Sequence, residues 1–214
     1  MKRGQWTLLA LAVCCIISIP AAADTIYNNF NTGETYDCCA GWNASGPGGP
    51  NGQVTNAQEF TAYGSAFVTR IDLAVSLLQG NGDGTAALYT VDGNGLPGTL
   101  LGSWGFTAHQ NFGDCCAVET INVNSGPLLT QGTDYFMVLS APDANVDVWN
   151  DNTTNARGLI LVSRDNGNTW EGGGGNLLSA FSIDGTGVPE PGTLVMLGSG
   201  IVAAAASLRR KFNA

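Results

Sequence analysis

Between Phe67 and Val75 the chain alternates: Phe67, Thr69, Ile71, Leu73 and Val75 fall on one side, and Val68, Arg70, Asp72 and Ala74 on the other. A period of two marks an extended strand, with one set of side chains on a core face and the other mostly toward solvent. Tyr135 to Leu139 and Leu159 to Val162 are short unbroken apolar runs, too brief for helices, and they predict central strands of a packed sheet. Ala86 to Val91, Val118 to Val123 and Ala180 to Ile183 are further strand candidates. Turn-forming clusters lie between them: Gly80 to Gly84, Asp92 to Gly95, Gly126-Pro127 and Gly172 to Gly175. Away from the two termini no segment spaces its apolar residues as a helix would. The expected fold is all-β, an antiparallel β-sandwich of jelly-roll kind.

The termini follow other rules. Lys2 and Arg3 precede an apolar run from Leu8 to Ile19, and Ala21-Ala22-Ala23 supplies the small residues that a signal peptidase needs. Residues 1–23 therefore read as a signal helix cleaved between Ala23 and Asp24. A lipoprotein would carry a cysteine just after those alanines, and Asp24 stands there instead. At the far end Val188-Pro189-Glu190-Pro191 leads into an uncharged stretch from Gly192 to Leu208, followed by Arg209, Arg210 and Lys211. At about 1.5 Å per residue that stretch makes a helix of roughly 25 Å, at the short end of what crosses a bilayer. The basic cluster acts as a stop-transfer signal held on the cytoplasmic side.

This order of motif, span and basic stop resembles the PEP-CTERM sorting signal. The resemblance implies processing by an exosortase-type enzyme in a bacterium that makes exopolysaccharide. It also implies a membrane-anchored precursor that ends at the cell surface or in the extracellular matrix. The chain then divides into a signal peptide (1–23), an ectodomain (24–187) and a sorting tail (188–214).

Charge narrows the partners. Of 17 acidic residues only Glu190 lies outside the ectodomain, and of 8 Lys and Arg only Arg70, Arg157 and Arg164 lie inside it, leaving 16 negative charges against 3 positive, a net of −13. Such a surface repels nucleic acid, whose phosphates need Lys and Arg to displace their counterions. Cations and neutral glycans fit it, and solubility outside the cell is its simplest use.

Cys14 and Cys15 leave with the signal peptide, so Cys38, Cys39, Cys115 and Cys116 remain in an oxidising compartment. Four cysteines allow three connectivities: each doublet closed on itself, or two arrangements joining the doublets. Bridging between the doublets is expected, because neighbouring cysteines joined to each other form a strained eight-membered ring. Zinc fits poorly, with His109 the one histidine and no Cys-x-x-Cys spacing.

Ser163-Arg164-Asp165-Asn166-Gly167-Asn168-Thr169-Trp170 fits the Asp-box pattern Ser-x-Asp-x-Gly-x-Thr-Trp. In that motif Asp165 ties a hairpin turn, Gly167 takes an unusual backbone angle and Trp170 packs beneath. A single copy without an internal period argues against a propeller.

Thr25 to Phe30, Tyr36 to Trp42, Gln58-Glu59-Phe60, Leu88-Tyr89, Gly95 to Trp104, Tyr135-Phe136 and Ser163 to Trp170 together resemble the choice-of-anchor R domains. That family is exported and implies no established activity.

No enzyme is expected. His109 has no serine in a Gly-x-Ser-x-Gly elbow to serve, so no catalytic residues are assigned. No cofactor is expected except calcium, for which Asp83, Asp143, Asn145, Asp147, Asp151 and Asn152 supply hard oxygens on turns without matching an EF-hand. The leading expectation is a non-catalytic surface or matrix protein associated with exopolysaccharide. The alternatives are a carbohydrate-binding module, with Trp42, Trp104 or Trp149 stacking on sugars, and, behind it, an enzyme acting on polysaccharide.

Overall fold

In a computed structural model of the chain, residues 23–187 and Gly200 are described. The expected signal helix before Ala23 and the expected sorting tail from Val188, including Pro189, Glu190, Pro191, Arg209, Arg210 and Lys211, lie outside the described residues. The strands are β1 (Ala23–Asn28), β2 (Tyr36–Ser45), β3 (Thr55–Thr61), β4 (Ala66–Leu73), β5 (Val75–Gln79), β6 (Asp83–Val91) and β7 (Pro97–Thr107). They continue with β8 (Glu119–Asn122), β9 (Leu128–Leu129), β10 (Asp134–Ser140), β11 (Val146–Asn152), β12 (Arg157–Ser163), β13 (Glu171–Leu177) and β14 (Phe181–Gly187). Neighbouring strands pair antiparallel throughout, in sheets ordered β1-β14-β4-β8 with β9 beside β4, β13-β12-β3-β10-β6-β7, and β2-β11-β5.

One core joins the sheets. Ile26, Ile71, Leu73, Ile183 and Phe181 from the first sheet meet Phe60, Leu88, Met137 and Leu139 from the second and Trp149 from the third. Phe181 is its hub, with ring centroids 5.3 Å from Trp149, 5.5 Å from Phe60 and 4.6 Å from Tyr27. Burying such aromatics is the largest single apolar contribution a domain of this size has.

Two expectations need correction. Phe67 is not on the core face but 49 % exposed, while Val68 is fully buried. Between Val68 and Arg70 the pairing with β14 shifts, Gly185 facing Val68 and Asp184 facing Arg70. A bulge at Thr69 thus reverses the alternation, and the inward set becomes Ala66, Val68, Ile71 and Leu73. Gly172 to Gly175 is not a turn but the middle of β13, an edge strand paired to β12 alone. A Cβ at Gly172 would collide with the Ile160 carbonyl, and its φ of 150° suits glycine. Glycine lets this edge approach β12 closely where a larger residue would push it away.

A buried polar network holds the segment before β14. Ser179 receives the Gln58 amide on Oγ (2.8 Å), donates its N–H to Gln58 Oε1 (2.7 Å), and donates its hydroxyl to the Trp149 carbonyl (2.8 Å). Asn29 Nδ2 donates to the Ser179 carbonyl and Asn29 Oδ1 accepts the Phe181 N–H, both at 2.8 Å. These bonds tie Ser179 and Asn29 to all three sheets and fix how the sheets meet.

Candidate functional site

Trp42 on β2 stands between two shallow grooves. One, of about 460 Å³, is lined by Cys39, Asn43, Leu78, Phe112, Val148, Asp151 and Leu177, and the other, of about 490 Å³, by Asn43, Asn51, Val54, Asn56, Val162 and Arg164. Trp42 is half-buried, its indole N–H donating to the Leu177 carbonyl at 3.3 Å. The other two tryptophans named for sugar stacking are placed differently. Trp149 is fully buried, with its indole N–H on the Ala180 carbonyl at 3.1 Å, and Trp104 packs against the core. Of the three candidates for sugar stacking, Trp149 is removed by its place at the middle of β11, facing Phe181.

Several acids stand in unusual surroundings, and one of them, Asp151, lines the first groove. Asp151 is directly opposite Asp37 across β2 and β11, and its carboxyl is pushed up to about 6, first by burial and then by the Asp37 charge. Asp147 is fully buried, and its carboxyl is pushed up to about 7 by burial and next by Asp83. Asp72, also buried, is answered: it accepts from Arg70 Nε (2.9 Å), Thr120 Oγ1 (2.6 Å) and Ser182 Oγ (3.2 Å). His109 is exposed, with Nδ1 3.1 Å from Glu119 Oε2.

The two cysteine doublets meet. A disulfide joins Cys38 to Cys115 across 77 residues, while Cys39 and Cys116 are exposed free thiols. Cys116 Sγ lies 3.3 Å from Cys38 Sγ. Three sulfurs are gathered within 4.8 Å, but two are spent in the bridge, so a single thiol is left and the cluster has no set of metal ligands. The bridge ties β2 to the loop before β8, which is also held by the Tyr36 hydroxyl donating to the Ala117 carbonyl (2.6 Å).

The Asp-box stretch joins β12 to β13. The Ser163 hydroxyl donates to Asp165 Oδ1 (2.8 Å) and accepts the Gly167 N–H (2.7 Å), and Asp165 accepts from the Thr169 N–H (2.8 Å) and hydroxyl (2.7 Å). Gly167 has φ 86° and Trp170 packs beside Phe136 and Leu161 in a second cluster. These donors, the Thr169 hydroxyl first, hold the Asp165 carboxyl below the usual carboxylate range. Its oxygens are occupied by the turn, which leaves it a structural part.

Sequence reasoning missed the burial of Asp147 and the Asp37–Asp151 opposition, because both depend on which strands become neighbours. The signal available was only that these acids fall in or beside apolar runs.

Residues 187–211 match the PEP-CTERM protein-sorting motif. No curated protein matches the chain.

Proposed function

We propose that the chain is an exported, non-catalytic surface or matrix protein, delivered by an exosortase-type enzyme and working within an exopolysaccharide layer. On this reading the ectodomain is a jelly-roll-like sandwich of the choice-of-anchor R kind, and the tail is a temporary membrane anchor. The observation that carries it is positional. The sorting-motif match begins at residue 187, where β14 ends, so the signal hangs from a completed domain and can be cut without unpairing a strand.

The test is replacement of Pro189, Glu190 and Pro191 by alanine in an exosortase-bearing host. The parent is expected to lose its C-terminal segment and leave the inner membrane, and the variant to remain as a precursor of full mass with unchanged circular dichroism. If the parent itself keeps Ala214 and stays in the membrane, the tail is a plain anchor.

A second reading is favoured by Trp42, which alone among the described tryptophans is set between two open grooves with amide side chains on their walls. A neutral glycan stacked on its ring would meet Asn43 and Asn51 as hydrogen-bonding partners. Retention on a glycan array that disappears with Trp42→Ala supports this reading, and equal blank signals from both proteins remove it.

A further inference from the structure

At the end of the molecule where β6 begins, a buried acid has nothing to answer it. Asp147 is 0 % exposed, and neither carboxylate oxygen has a hydrogen-bond donor within reach among the described residues. Its direction follows from register. On β11 it stands opposite Ala44 of β2 and Leu77 of β5. Ala44 lies in the main core and Leu77 packs against it, so Asp147, on the same face as its cross-strand partners, points into the gap between the small sheet and the six-stranded one. An ionised carboxylate left alone in such a place is strongly unfavourable.

Among the described residues the cationic side chains are engaged elsewhere. Arg70 pairs with Asp72, Arg164 with Glu171, and Arg157 donates to Asn155 and the Gly175 carbonyl. The ectodomain has no lysine, and His109 faces Glu119. A second carboxylate, Asp83 at the start of β6, adds its charge to the effect of burial at Asp147. Asp83 is held in place by Asn81 Nδ2 on Oδ2 (2.7 Å) and by the Thr107 hydroxyl on Oδ1 (3.0 Å), which leaves lone pairs on both oxygens. Asn145, two residues before Asp147, donates Nδ2 to the Asp83 carbonyl (3.2 Å) and turns Oδ1 to the Asn81 N–H (3.0 Å). Oxygen is the sole ligand type on these side chains, which suits a hard cation and excludes soft ones.

We propose that Asp147 is the inner ligand of a calcium site completed by Asp83 and Asn145, which clamps β11 to β6 at this end of the domain. The carrying observation is the buried carboxylate with both oxygens unanswered; the neighbouring acid and amide supply the rest. Calcium fits better than magnesium because it accepts irregular oxygen sets, whereas magnesium demands a near-ideal octahedron and keeps its waters. The surplus of negative charge over the ectodomain draws such a cation in.

Terbium tests this directly. Trp149 lies two residues along β11 from Asp147, so a terbium ion bound there is excited through the indole. With the full-length chain in detergent, saturable terbium emission under tryptophan excitation is expected, displaced by calcium well before magnesium, and calcium should raise the melting temperature over that in chelator. Asp147→Asn, close to the same shape without the charge, is expected to lose both responses. Asp83→Asn, on an exposed residue where folding is not at risk, is expected to weaken calcium by about tenfold or more, the loss seen even for outer-shell partners of a metal. A parent chain with no terbium emission and a melting temperature indifferent to calcium overturns the proposal. So does a calcium response that survives intact in Asp83→Asn or in Asp147→Asn, the latter showing that Asp147 is simply carried as a neutral acid.

Discussion

Asp151 shows what a single pairing does to a side chain. Facing Asp37 and half-buried, its carboxyl rises to about 6, from burial first and the like charge second. In the unfolded chain it would titrate near its ordinary value of roughly 3.9. A carboxyl raised on folding favours the protonated native state, so its contribution is fully present below the unfolded value and lost as pH rises through about 6. Asp151→Asn removes that titration and keeps the shape. The melting temperature of the variant relative to the parent is therefore expected to increase between about pH 4 and pH 7 and then level off. Paired thermal melts across that range check it, and parallel curves would show that Asp151 titrates normally.

Among elements, β13 is the one whose formation is hardest to see in advance. A run of glycines reads as a turn because glycine has the highest cost of ordering in a strand. Here the run is an edge strand, since only a residue without Cβ passes the Ile160 carbonyl at Gly172. Gly172→Val is expected to unpair β13 from β12 and to destabilise the domain by about 1–3 kcal/mol, the range of a local steric conflict. Hydrogen exchange should show the β12 amides that face β13 losing protection while those facing β3 keep theirs. Unchanged protection along β12 would count against the close approach. The Asp-box turn next to this strand was legible in advance because its hydrogen bonds are local, spanning Ser163 to Thr169. Phe67 was misplaced because the bulge at Thr69 is a property of the β4–β14 pair and not of β4 itself.

For the whole molecule, the longest covalent constraint is the bridge from Cys38 to Cys115, which closes 77 residues. A loop of that size confers about 4 kcal/mol by restricting the unfolded chain, in the chain-entropy account. The double variant Cys38→Ser with Cys115→Ser is expected to lose about that much in denaturant unfolding. A reductant should bring the parent to the midpoint of the variant and leave the variant where it is. A parent unaffected by reductant would show that the bridge does not contribute. The sorting tail belongs to this scale too, since its match starts where the last core strand stops.

What the chain determined by itself was local or repetitive: the period-two stretches, the Asp-box turn, the sorting motif at 187–211, and an acidic composition without lysine between Asp24 and Gly187. Each is written in neighbouring residues, so no knowledge of the folded neighbours is needed to read it. The tertiary structure alone decided which cysteine of each doublet is bridged, that Trp149 is core while Trp42 lines open grooves, and that Asp147 is shut between sheets. These depend on strand order and register among residues far apart in the chain, where a shift of one position turns a side chain from water to core.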